Sequence, residues 1–164
     1  MPLPDLVMYE DEFKAVDAEL QRLQNQSNAK VVFLVDKNGQ LIASVGETRG
    51  IDTTSLASLT AGNIAATGGM AKLLGEKEFS ILFHEGEKDN IHISVIGQRV
   101  ILVVIFDQRS SLGLVRLRVK KSSEAIARIF ESIQDKAQKD KAAGKVSVSP
   151  FAEITDEDID KLFG

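Results

Sequence analysis

The chain has 164 residues, 43% of them hydrophobic and 27% charged, which suits one soluble domain with a tail. It contains no cysteine, so disulfides, thiol catalysis and thiolate metal sites are excluded. The formal net charge is −4, and the excess sits at one end: Glu153, Asp156, Glu157, Asp158 and Asp160 stand against Lys161 alone, leaving the body near neutral.

The opening MPLPDLVMYEDEF has neither a basic region nor an apolar run, so no signal peptide is expected. A first helix is predicted from Tyr9 to Asn25. Phe13, Val16, Leu20 and Leu23 form its apolar stripe, with Glu12, Lys14, Asp17, Glu19 and Arg22 facing away. Lys30 to Asp36 is a β-branched run and reads as a buried strand. Asn38-Gly39 supplies the positive-φ pair of a tight hairpin, and Gln40 to Val45 returns as the second strand.

The stretch IDTTSLASLTAGNIAATGGMAKLLG, Ile51 to Gly75, reads as a central helix whose only charge is Lys72. Asp52 is its expected N-cap, Ile51 and Leu56 its hydrophobic staple, and Gly75 its left-handed terminator. Helical spacing puts Leu56, Leu59, Met70 and Leu73 on one face. Ala57, Ala61, Ala65, Gly68 and Lys72 fall on the other, with Gly69 at its border. Each interior glycine costs about 1 kcal/mol relative to alanine. Two reasons could offset that cost: burial on both sides within the domain, or a flat face kept for another protein.

Beyond Gly75, Phe79 to Phe83 is expected as a short edge strand, and Ile91 to Ile96 as a fourth strand with Ile91, Ile93 and Val95 inward. Val100 to Phe106, VILVVIF, is the most apolar strand and belongs at the sheet centre. The stretch after Ser110 and Ser111 alternates like a strand at Val115, Leu117 and Val119. It also carries the helical series Leu112, Val115, Val119, Ile126, Phe130 and Ile133, and helix is preferred. Residues 134–149 lack a periodic apolar face and read as a linker. The segment from Pro150 starts a short acidic helix with Thr155 as N-cap. The division expected is a domain over 1–133, a linker over 134–149 and a tail over 150–164. The class is α+β in the order α-β-β-α-β-β-β-α: a five-stranded, mostly antiparallel sheet with one helix on one face and two on the other.

No catalytic constellation emerges. Gly62 to Lys72 lies within a helix and lacks the Gly-Lys-Ser/Thr ending of a phosphate-binding loop. His84 and His92 flank one acidic turn, but two partly exposed strand histidines explain them better than a metal site. The basic run Arg116, Arg118, Lys120 and Lys121 is a possible docking surface. Without net positive charge or stacking aromatics, it does not point to nucleic acid. The central helix has the length of a membrane span, but its Asn, Thr, Ser and Lys residues make it a poor one. No membrane insertion is expected.

The segments VVFLVDKNGQLIAS, TSLASLTAGNIAATGGMAKLLGE and LGLVRLR, in this element order, resemble the Roadblock / dynein light-chain family over about Leu6 to Ile133. The resemblance is greatest to its bacterial polarity branch, whose members activate a small Ras-like GTPase. The segment SPFAEITDEDIDKLFG is similar to tails found in that branch. The resemblance implies a cytoplasmic homodimer, concentrated at a cell pole, with sheets joined edge to edge and central helices paired. It implies one GTP-bound GTPase engaged across its switch loops by the central-helix side, with no arginine finger, no cofactor and no active site of the chain's own. Ala57, Ala61, Ala65, Gly68, Gly69 and Lys72 would form the GTPase-binding and dimer face. Phe151, Ile159, Leu162 and Phe163 would be the partner-binding anchors of the tail. The other readings are a Roadblock adaptor that scaffolds a GTPase or motor complex, and a small-ligand sensor of PAS or GAF type.

Overall fold

The computed structural model describes residues 10–142, so residues 1–9 and the expected tail over 150–164 lie outside it. The elements run α1 (Glu10–Ser27), β1 (Val31–Asp36), β2 (Leu41–Gly46), α2 (Thr53–Leu73), β3 (Ile81–Glu85), β4 (Asn90–Ile96), β5 (Val100–Phe106) and α3 (Leu112–Ala142). The strands form one sheet in the order β2-β1-β5-β4-β3, with every pairing antiparallel. The expected α+β architecture is therefore observed. The apolar β5 lies at the centre, and β3 lies at an edge.

All seven residues of β5 are buried, because both faces of the sheet are covered. On one face Val32, Leu34, Leu102 and Val104 pack with Val16, Leu20 and Leu23 of α1 and with Val115, Val119, Ile126 and Phe130 of α3. On the other, Val31, Phe33, Ile93, Ile101 and Val103 meet α2 through Ala57, Leu56, Ala61 and Ile64. The two-sided cover also changes the reading of β4. Ile93 is buried as expected, but so are His92, Ser94 and Ile96 on the opposite face.

Helical spacing decides the ambiguous stretch after β5. Ser111 caps α3 by accepting the Leu114 N–H at 3.2 Å, and the series Val115, Val119, Ile126, Phe130 and Ile133 is buried. Ser122 fills the gap in that series and donates to Glu19 of α1 at 3.0 Å. The helix does not stop at Ile133. It continues to Ala142, so residues 134–142 are helical where a linker was expected, and only 143–149 of that stretch lie outside the described residues. Its Gln, Asp, Lys and Ala residues include several strong helix formers, which need no apolar face to extend a helix already nucleated.

That extension explains a second departure. Glu12, expected to face solvent, is buried and accepts a hydrogen bond from Lys136, while Phe13 of the expected stripe stands largely exposed. The Asn38-Gly39 turn also differs in detail. Only Gly39 takes a positive φ, and the Asp36 carboxylate accepts the N–H groups of Asn38 and Gln40, both at 2.9 Å. A side-chain acceptor here does part of what a second positive-φ residue would do.

The Lys136 hydrogen bond holds the Glu12 carboxyl below its usual range, against the opposing effect of burial. A carboxylate lowered in the folded state stabilises above its unfolded pKa, near 4.5, and loses that contribution as pH falls through the folded value. Lys136→Ala is therefore expected to lower the melting temperature at neutral pH. The gap from the unsubstituted chain should shrink once the pH drops well below 4.5. Thermal scans at pH 7 and pH 3 measure this, and an equal gap at both values would show that the pair contributes nothing.

Candidate functional site

The helix α2 is fixed at both ends by local chemistry. Asp52 accepts the Ser55 N–H at 3.0 Å and the Ser55 hydroxyl at 2.6 Å, which lowers the Asp52 carboxyl pKa. At the other end Gly75 takes φ +77°. Its N–H donates to Lys72 O at 3.2 Å, and the Glu76 N–H donates to Ala71 O at 2.9 Å, the paired bonds of a Schellman ending. The expected staple is present too, with Ile51 and Leu56 packed in one cluster under the sheet.

The helix is turned over relative to the expected outward face. Its small residues lie against the sheet: Ala57 is fully buried and Ala61 half-buried, so Ala57 is removed from any surface for a partner. Small side chains let the helix axis come close to the strands, which leaves the larger ones outward. Leu59, Met70 and Leu73 are exposed, Leu73 to 88%, and Leu74 follows them. The rest of the expected face lies on one flank. Ala65, Gly69 and Lys72 are exposed there, and Gly68 is half-buried.

Two contacts orient the flanks. On one side the Asn63 amide meets the His84 ring of β3 at 2.9 Å. Leu59 and Met70, one and two turns from Asn63, share that side. On the other side Ser58 and Ala61 approach Gly39 of the β1–β2 hairpin. Ala65 and Gly69 stand two and three turns beyond Ser58 on that side. The helix thus presents large apolar side chains toward the β3 edge and small ones toward the hairpin. A methyl group added at Gly62, Gly68 or Gly69 would meet nothing within 4 Å among the described residues, so close packing against these does not explain the three glycines.

β3 pairs with β4 alone among the described residues, so its outer row of N–H and C=O groups faces away from the sheet. Ile81 and Phe83, on the face opposite α2, are exposed although apolar. Sequence reasoning missed Leu59, Met70, Leu73, Leu74, Ile81 and Phe83 as surface residues. The available signal was four large apolar side chains on a helix with no polar face to oppose them.

The remaining candidates do not converge on one place. His84 lies on the α2 face of the sheet, whereas His92 lies on the α1/α3 face, so the pair cannot share an ion. His92 is buried rather than partly exposed, and neither ring nitrogen has a hydrogen-bond partner among the described residues. Burial, and secondarily the charge of Arg116, holds its pKa below the usual value. In the basic run Arg116, Lys120 and Lys121 are exposed, while Arg118 is half-buried and donates to Gln26 at 3.4 Å. Arg109 is occupied: it binds Glu47 through two nitrogens at 3.1 and 2.9 Å and Asp107 at 3.0 Å, which raises its pKa further. Phe151, Ile159, Leu162 and Phe163 lie outside the described residues. Among the described residues no helix is long and apolar enough to cross a membrane.

Comparison with known proteins identifies the family. Residues 15–106 match the Roadblock/LC7 domain. Comparison with curated proteins finds no match. Among solved structures, Myxococcus xanthus MglB is 65% identical, covering 78% of this chain and 96% of its own, with a TM-score of 0.74. The gliding protein MglB of Thermus thermophilus is 34% identical, covering 80% of this chain and 99% of its own, with a TM-score of 0.74. An MglB described as having a tetrameric arrangement is 32% identical, covering 80% and 99%, with a TM-score of 0.75. The chain therefore belongs to the Roadblock/LC7 family, in its MglB-like branch.

Proposed function

We propose that the chain is a cytoplasmic, homodimeric regulator of cell polarity that stimulates GTP hydrolysis by a small Ras-like GTPase. The observation that carries the reading is the outer side of α2, where Lys72 is the one charged residue, beside the unpaired edge of β3. Exposed apolar surface of this extent marks an interface. Pairing β3 with its counterpart in a second copy would satisfy the edge and set Ile81 and Phe83 against their equivalents. The two α2 helices would then lie side by side, with Leu59, Met70 and Leu73 between them. The likeness to MglB, including one with a tetrameric arrangement, supports self-association.

The hairpin-side flank, Ala61, Ala65, Gly68, Gly69 and Lys72, is then the surface for the GTPase. A small-residue surface suits a partner whose switch loops lie flat against it. Activation is by selection: the dimer binds the switch conformation competent for hydrolysis more tightly than the others. An arginine finger supplies about 10³–10⁵ in rate in the systems that use one. Arg109 is held by two carboxylates and Arg118 is half-buried, which argues against either acting as one. If the chain binds the GTPase without changing multiple-turnover hydrolysis, the adaptor reading replaces this one.

Light scattering is expected to give a dimer at about 10 μM, in the range of a stable interface. Leu59→Arg with Leu73→Arg should give a folded monomer, and a persisting dimer would place the interface elsewhere. Gly62→Ala should strengthen α2 by about 1 kcal/mol in the isolated chain while weakening the dimer. A dimer tightened by that change would show that no partner helix approaches there.

Ala65→Arg with Gly69→Arg is expected to abolish stimulation of a GTP-loaded Ras-like GTPase with circular dichroism and dimer mass unchanged. Full stimulation by this variant would assign the wrong flank. Alanine at Arg49, Arg99, Arg109, Arg116, Arg118 or Arg128 should leave maximal stimulation at saturating protein. Loss of the maximal rate with binding intact, at any one of them, would identify a finger.

A further inference from the structure

The first half of α3 carries a second exposed face that the proposed dimer and GTPase surfaces do not use. Gly113, Leu117 and Lys120 recur at helical spacing on the side turned from α1 and the sheet, and the exposed Arg116 and Lys121 border them, Arg116 on the flank toward β4. Leu117 is 50% exposed in the middle of these cations, and a methyl group added at Gly113 would meet nothing within 4 Å. Among the described residues Arg116, Lys120 and Lys121 form no ion pair. Arg116 and Lys120 are like charges one turn apart; Glu124, exposed one turn beyond Lys120, forms no ion pair with it, and Arg116 has no acidic residue one turn away on α3.

We propose that the occupant of this face is the chain's own acidic segment, Pro150 to Gly164, docking back on α3. Charge complementarity selects it: it holds Glu153, Asp156, Glu157, Asp158 and Asp160 against one lysine, in a chain whose body is near neutral. The apolar pattern matches as well. Ile159, Leu162 and Phe163 follow helical spacing and would cover Leu117, while Asp156 and Asp160, one turn apart, would meet Arg116 and Lys120. A second copy of the basic face would be repelled rather than bound.

The chain is long enough. Thr155 lies 13 residues beyond Ala142, a reach of about 43 Å when extended. From Ala142 back to Arg116 is 26 residues of helix, about 39 Å, still within that reach. The contact is intramolecular, so a tether of this length presents the segment at roughly millimolar effective concentration, enough for a modest interface. Its consequence is regulatory: the basic face is covered until a partner with greater affinity for either element displaces the contact.

The absence of cysteine makes the test direct. In full-length protein carrying L117C and L162C, mild oxidation is expected to give a disulfide within one chain, seen on a denaturing gel as a faster-moving monomer. Its rate should fall about tenfold as salt shortens the screening length from about 30 Å at 0.01 M to about 3 Å at 1 M. R116E with K120E should abolish it, and adding D156K with D160K should restore it. Several outcomes would overturn the proposal: no crosslink at low salt, indifference to the charge reversals, or crosslinks only between chains, which would make a second copy the occupant. A crosslink that is absent in the chain alone, with the segment protected only once a GTP-analogue-loaded GTPase is added, would give it to the GTPase instead.

Discussion

The structure depends on the burial of β5. A strand of seven apolar residues with neighbours on both sides must be shielded from water above and below, so the sheet needs a layer on each face. Among the described residues α1 and α3 cover one face and only α2 covers the other. A helix is roughly 10 Å across, whereas five strands span roughly 20 Å, so one helix cannot shield a whole face. On the α2 face that shortfall leaves His84 of β3 exposed and Leu82, Ile91 and Val95 half-buried.

The same constraint explains the orientation of α2. With a single helix on its face, contact with the strands improves as the axis approaches them, and Ala57 and Ala61 permit an approach that leucines would block. Leu59, Met70 and Leu73 are therefore displaced to the outside, where they would be a liability for a solitary domain. The caps at Asp52 and Gly75 matter for the same reason. They hold a helix with three interior glycines in register while most of its circumference faces away from the chain.

Much of the fold was legible because its signals are local. Asp52, the Gly75 terminator, the VILVVIF centre and the buried series of α3 each rest on a few residues whose chemistry admits one main reading. The side of α2 that meets the sheet was not legible. Periodicity divides a helix into large and small faces but does not say which one a flat sheet prefers. Glu12 and residues 134–142 were misread together, because the partner that buries Glu12 lies 124 residues away on a helix extended by propensity alone. The two histidines looked adjacent across a turn. Their opposite orientation follows from strand pairing, which puts Phe83 beside His92 and Ile91 beside His84. Of the candidate site, the lack of charge on α2 was readable. The separation of its two flanks needed the contacts with β3 and the hairpin.

The strand order also governs how the domain can be assembled. β1 with β2, and β3 with β4 and β5, are neighbours in sequence and can form as two independent antiparallel units. They are joined only where β1 meets β5, through partners roughly 70 residues apart. That junction is the one non-local strand pairing among the described residues; the packing of α1 on α3, where Glu12 and Lys136 are 124 residues apart, is non-local as well. Until Phe106 has been synthesised, β1 has an open inner edge and the core residues of α1 and α2 have half a platform. Folding on the ribosome is therefore postponed to the second half of synthesis, and the nascent chain presents Val31 to Val35 as exposed strand for that interval.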